Sequence, residues 1–292
     1  MGFRLGVDLG GTKVSVGLVN NGRIIGDTER FLVAECKDAD DLVESMVRSM
    51  EQILKRERIK WEDIEIIGIG SPGPLDPYTG VVLNTPNLVM LRNYPLGPSV
   101  KDLTGVETII DNDANCFTLG EQIAGKARGM DYVIGVTLGT GYGLGFVYKG
   151  KIYRGATGTA MEYALSPYKD GVFEDYISGR GLNKIYKELY NKDLTPTQIY
   201  SEAEKNNPKA LKAWEEFGKH LGFSLIYLVN VLDPQIIVIG GSVSRGYRFF
   251  YESMQSELYN RIHDKPRETL KVELSTLGEA AGIIGSSALN PL

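Results

Sequence analysis

The chain has 292 residues, 42% hydrophobic and 24% charged, with a net charge of −5. This composition suits one large or two medium globular domains, and the acidic balance argues against nucleic acid as main partner, because phosphate binding is driven by clustered Lys and Arg. Cys36 and Cys116 are too far apart for a disulfide framework, no apolar run reaches the roughly eighteen residues of a membrane helix, and Met1 leads straight into a strand, so a cytoplasmic protein with no membrane partner is expected.

In chain order, residues 3–9 and 14–20 alternate as two strands, and a third, "GRIIGDTERFL", follows the Asn20-Asn21-Gly22 turn. In "DDLVESMVRSMEQIL", Leu42, Val43, Met46, Val47, Met50, Ile53 and Leu54 fall on one helical stripe behind an acidic start. The basic run from Leu54 to Lys60 closes this helix and is read as helix-end charge. "IEIIGIGSPG" is a buried strand ending in a glycine loop, and "VETIIDNDAN" an apolar strand ending in polar residues. A helix over Glu121–Ala127 passes between the halves.

The second half repeats the theme. "DYVIGVTLGTGYGLGFVYKGKIY" gives two strands around a Gly-Thr-Gly turn and a third after Lys149-Gly150. A loop-rich stretch runs from Tyr153 to Gly181, and helices fill much of 181–232. The apolar run Leu221 to Leu232 contains Gly222, Ser224 and Asn230 and reads as a buried helix; for the helix around 211–232 a dimer face is the alternative to a core position. "PQIIVIGGSVS" is a strand ending in glycines, and "LKVELSTLGEAAGIIGSSAL" a strand followed by a small-residue helix in which Ala280, Ala281 and Gly282 allow close packing.

The turn Gly10-Gly11-Thr12 is neither a Walker loop nor a dinucleotide fingerprint, since both feed a helix and here a strand follows. Glycines in such a turn expose successive backbone N–H groups as an anion nest. Thr12 adds a hydroxyl, Lys13 a positive charge, and Asp8 a carboxylate able to hold hydrated Mg²⁺. Gly139-Thr140-Gly141 offers the same chemistry from the second half, so the two turns suit one triphosphate. Each turn taken singly is equally well a plain turn.

"DLGGTK", "GSPGPLD", "TPNL", "DNDAN", "GTGYGLG", "GGSVS" and "LGEAAGIIGSSAL" occur in an order that resembles the ROK family of sugar kinases and repressors, over essentially the whole chain. The resemblance implies an α/β protein with the actin-like ATPase fold: two RNase-H-like domains with a nucleotide and sugar cleft between them. The smaller domain would take 1–120 with the C-terminal helix 279–292, and the larger 121–278. It implies transfer of the ATP γ-phosphate to a sugar hydroxyl, usually on C6 of a hexose, with Mg²⁺ and in a homodimer. Asp113 becomes the general base, with a helix cap as the alternative reading. Gly73, Asn87, Asn112, Glu162 and Glu174 become sugar ligands with it. Gly240 and Gly241 pass close to adenosine.

The chain departs from the family pattern at 155–176. The family's His is Leu165, and its Cys-rich zinc loop is shortened to "SPYKDGV". Neither cysteine nor either histidine, His220 or His263, lies there, so no structural zinc is expected, and Tyr163, Tyr168 and Phe173 are expected to pack the loop instead. Leu165 cannot make the hydrogen bond of the family His near the anomeric end of the sugar, which implies an altered sugar preference. Glucose is the first expectation, ahead of N-acetylmannosamine, mannose, glucosamine and fructose. A sugar- and ATP-binding protein without transfer remains the alternative. A repressor is disfavoured, because strand one begins within a few residues of Met1 and leaves no helix-turn-helix domain.

Overall fold

The computed structural model describes residues 2–86 and 88–291. The chain divides into two compact units, one of residues 1–129, 145–160 and 276–292, the other of residues 130–144 and 161–275.

The first unit begins with β1 (Phe3–Leu9), β2 (Lys13–Asn20), β3 (Arg23–Leu32) and α1 (Ala39–Glu57). It continues with β4 (Ile64–Ser71), the short pair β5 (Leu75–Asp76) and β6 (Val81–Val82), α2 (Leu96–Thr104), β7 (Thr108–Asn112) and α3 (Asp113–Ala124). The sheet order is β3-β2-β1-β4-β7. The hairpin strands pair antiparallel, and β4 and β7 join β1 in parallel, with Asp8 opposite Gly70 and Gly70 opposite Asp111. This register sets Asp8 and Asp111 in one row at the carboxyl ends of the parallel strands, the usual place for ligands in an open α/β sheet.

The apolar stripe of α1 is buried throughout. Its start is fixed by Asp38, whose side chain accepts from the Asp41 amide at 2.9 Å, and its end by Arg58 in a left-handed conformation. The helix expected over Glu121–Ala127 begins earlier, at Asp113, and stops at Ala124, because Gly125 supplies the cap.

The second unit contains β8 (Tyr132–Leu138) and the start of β9 (Tyr142–Tyr148), which leaves the unit after Leu144; β10 (Lys151–Ile152) pairs with the far end of β9 inside the first unit. Next come the two-residue strands β11 (Pro167–Tyr168) and β12 (Gly171–Val172), then α4 (Gly179–Tyr190), α5 (Pro196–Glu204) and α6 (Pro208–Leu232). The unit closes with β13 (Ile236–Gly240), α7 (Tyr247–Tyr259), α8 (Asp264–Thr269) and β14 (Lys271–Leu274). Strand β13 pairs in parallel with both β8 and β14. The helix α6 is buried over most of its apolar face, as the sequence suggested, although Tyr227 and Val231 stand exposed. No described helix is long and apolar enough to cross a membrane.

The last helix, α9 (Ala280–Ser287), belongs to the first unit and packs on α3, β1 and β4. Small residues make that seam possible: a Cβ at Gly285 would stand 1.7 Å from the Cys116 carbonyl oxygen.

Candidate active site

In the first unit the site is built at the junction of β7 and α3. Asn112 keeps an extended backbone as the α3 N-cap, and its Oδ1 accepts from the Ala114 amide at 2.9 Å. Its Nδ2 has no partner among the described residues and so remains a donor for a ligand. Asp113 opens the helix, with Oδ1 accepting from the same amide at 2.8 Å. The capping role and a chemical role therefore coexist. Burial pushes the Asp113 carboxyl above its usual range, and backbone N–H groups pull it partly back.

Asp8 stands beside it at the end of β1. Burial, then the neighbouring Asp113 carboxylate, raise its pKa from 3.8 to about 7, against the pull of Lys13. Its carboxylate accepts no hydrogen bond from any described residue. A carboxylate left short of positive partners fits a divalent cation, which removes the charge conflict on binding. No group of three or more His, Cys, Asp and Glu side chains able to hold a metal ion occurs among the described residues.

The third carboxylate of this region is treated differently. Asp111 is 1% exposed; Oδ1 accepts from the Asn112 amide and Asn115 Nδ2, each at 2.8 Å, and Oδ2 from Arg154 Nε at 2.5 Å. Three donors satisfy a fully buried charge, which fits a structural role. Arg154 also anchors the following loop, its carbonyl accepting from the Ala160 amide at 3.1 Å.

The two glycine turns share one construction. The Gly10 amide donates to the Lys13 carbonyl at 2.9 Å, and the Gly139 amide to the Gly141 carbonyl at 3.0 Å. The first glycine thus closes each turn, leaving the amides of Gly11 and Thr12, and of Thr140 and Gly141, without acceptors among the described residues. Lys13 points its ammonium at Glu279, whose other oxygen lies 2.7 Å from Arg30. The cation expected to face phosphate is therefore held by a carboxylate at the start of α9. Gly282, in the first turn of that helix, packs directly on the Asp8 carboxyl; the small-residue motif adjoins the site as well as the helix seam.

In the second unit, the turn Gly139–Gly141 meets two other segments. Gly139 accepts from the Gly179 amide at 2.8 Å. Glu174 Oε2 accepts from the Tyr142 amide at 3.0 Å, and Oε1 from Arg180 at 2.9 Å. A Cβ at Gly141 would lie 2.5 Å from Glu174 Oε2, so a larger residue there would push this carboxylate aside. Gly240 and Gly241 end β13, and Gly241, at φ 86°, backs onto Leu138. Glu162 opens a 3-10 turn through Leu165, which is 59% exposed. Gly73 follows β4 in the first unit; Asn87 lies outside the described residues.

Sequence reasoning had no signal for Glu279, Arg154 or Tyr142, whose partners lie far along the chain. It did place Asp8 and Asp113, which the fold brings together.

The fold is that of the actin-like ATPases. The chain belongs to the ROK family, whose model matches residues 4–291. It is 28% identical to the glucokinase of Thermotoga maritima over 310 residues, covering 98% of this chain and 96% of the relative. It is 27% identical to the N-acetyl-D-glucosamine kinase of Pasteurella multocida, covering 98% and 99%. The crystal structure of a ROK family glucokinase from Streptomyces griseus in complex with glucose and AMPPNP superposes with a TM-score of 0.82 at 28% identity, covering 98% of each chain.

Proposed function

We propose that this ROK-family chain is an ATP-dependent sugar kinase in which Asp113 takes the proton of the hydroxyl that receives the γ-phosphoryl group. The observation that carries the assignment is the Asp8–Asp113 pair. One carboxylate is positioned by a helix start and made more basic by burial, and the other accepts no hydrogen bond from any described residue. A general base works best when its pKa approaches the working pH, and burial shifts the Asp113 carboxyl upward, in that direction.

The remaining roles follow from the donors and acceptors available. In the first unit Asn112 offers its Nδ2 to a sugar hydroxyl next to the reacting one, with Gly73 as a further contact; in the second unit Glu162 and Glu174 are the sugar ligands. Leu165 offers no polar group, so discrimination near it comes from shape. In the first unit the free amides of Gly11 and Thr12 are open to phosphate oxygens, with the Thr12 hydroxyl and Lys13 as additional donors once Lys13 leaves Glu279; in the second unit the amides of Thr140 and Gly141 offer the same chemistry. Gly240 and Gly241 give adenosine a surface without side chains. Asp8 is the group that would hold Mg²⁺ through water, and the ion would neutralise developing charge on the phosphates.

The test is ADP release with Mg·ATP across a sugar panel, for wild type and Asp113→Asn in parallel. Glucose and N-acetyl-D-glucosamine head the panel, followed by N-acetylmannosamine, mannose, glucosamine and fructose. Stimulation by one sugar, lost in the variant while ATP still binds, is expected. Sugar-independent release, or a variant as active as wild type, would remove Asp113 from its role.

A further inference from the structure

The segment that carries Glu162 and Glu174 is a hairpin built on aromatic rings. Glu162 begins one 3-10 turn and Glu174 lies in a second, Phe173–Asp175. Between them β11 and β12 pair, Pro167 with Val172 and Tyr168 with Gly171, and the Phe173 amide donates to the Ser166 carbonyl at 3.2 Å. The residue after Glu162 is Tyr163, and the residue before Glu174 is Phe173. Their rings stack with centroids 4.9 Å apart. The other face of Phe173 stacks on Tyr168 at 4.5 Å and 15°. Phe173 is 4% exposed, so the sandwich fixes the hairpin from inside.

This stack is tied to the glycine turn through α6. The Tyr163 hydroxyl donates to the Ser224 carbonyl at 3.3 Å, and Ser224 Oγ lies 2.9 Å from the Tyr142 hydroxyl. The amide of the same Tyr142, immediately after Gly141, donates to Glu174. A closed circuit results: Tyr142, Glu174, Phe173, Tyr163, Ser224 and back to Tyr142. Beneath it the Tyr168 hydroxyl bonds His220 Nδ1 at 2.8 Å.

We infer that Phe173, clamped between Tyr163 and Tyr168, is the positioning residue that fixes where Glu162 and Glu174 stand, and that Ser224 of α6 locks this hairpin to the turn after β8. The inference rests on the sugar-kinase reading for its functional consequence. Its structural half stands independently, because the Tyr142 amide reports the position of Glu174 without any substrate. Neither glutamate's neighbour needs to touch sugar for a misplaced hairpin to weaken sugar binding.

The experiment compares wild type with Phe173→Leu, which keeps an apolar side chain and removes the flat ring. Hydrogen exchange at the Tyr142 amide is measured first, then KM for the sugar and for ATP. Faster Tyr142 exchange is expected, with the sugar KM raised about tenfold and the ATP KM unchanged, the pattern of lost positioning on one substrate. Tyr163→Phe, which keeps the ring and loses the bond to Ser224, should fall between. Should Phe173→Leu fail to fold, Tyr163→Leu at a partly exposed position carries the same test. Unchanged exchange at Tyr142 would overturn the inference. Faster exchange with wild-type sugar kinetics would overturn Glu174 as a sugar ligand, while the kinase reading is decided separately by Asp113→Asn.

Discussion

The end of the first sheet and the aromatic hairpin each bury a group that titrates, and they treat it in opposite ways. At the sheet end, Asp8 sits beside Asp113 with no hydrogen-bond partner among the described residues, and its pKa rises to about 7. Under the hairpin, His220 is 8% exposed, and burial, then Lys169, lower its pKa to about 4. Both of its ring nitrogens have neighbours, Tyr168 at 2.8 Å and Lys169 at 3.4 Å. Evolved interiors satisfy polar groups wherever their job is to hold shape. The contrast therefore separates a carboxylate left without hydrogen-bond donors from a group whose partners are complete, and Asp111 shows the completed state existing within a few residues of Asp113.

The sharpest break in that comparison is Asp113→Asn, which removes the proposed base and keeps an acceptor for the Ala114 amide. A loss of about 10³ in kcat is expected, with ATP binding retained, read by ADP release and calorimetry. Arg154→Met should act on stability instead. It strands the buried Asp111 charge, so the unfolding free energy falls by about 3 kcal/mol, measured by urea denaturation. A loss of that size with the sugar-stimulated rate largely kept would confirm Asp111 as scaffold.

The two regions should also carry opposite pH signatures. Between 3.8 and about 7 the folded protein keeps a proton on Asp8 that the unfolded chain has released, so this group lowers stability as pH rises through that window. Between 6.5 and about 4 the unfolded chain protonates its histidine while folded His220 stays neutral, so this group lowers stability as pH falls. Denaturation series at stepped pH should show each slope flattened by Asp8→Asn and His220→Phe respectively. Substitution at Asp8 that leaves the profile unaltered would show that its carboxyl is not held in an unfavourable charged state. The smallest effect is expected for Glu279→Gln, which releases Lys13 from a half-exposed ion pair. Stability should change by less than about 1 kcal/mol, and titration with ATP would show slightly tighter binding.

Much of this was legible from local pattern. The stripe of α1, the strand alternation, the two turns and the Asp113 segment all depend on neighbours a few residues away. Three things were not. Residues 96–104 form α2 although Gly97 and Pro98 hide any helical signal; Leu96 and Val100 are buried and packing prevails over propensity. Helix α3 begins at Asp113, where polar residues resemble a loop, because Asn112 caps it. Glu279 beside Lys13, Arg154 beside Asp111 and the Tyr142 amide beside Glu174 lie 266, 43 and 32 residues away, and pairing over such spans is fixed by tertiary packing alone.

Cys116 gives the packing of α3 on β4 a built-in clock. The thiol is fully covered, lies 3.1 Å from where a Cβ on Gly70 would stand, and is pushed well above its ordinary pKa by burial and then by Asp111. Such a sulfur reacts only when the helix lifts away. Its labelling rate with a small alkylating reagent therefore counts openings of the first unit, and a nucleotide that settles against Asp8 should slow that count before any product is made.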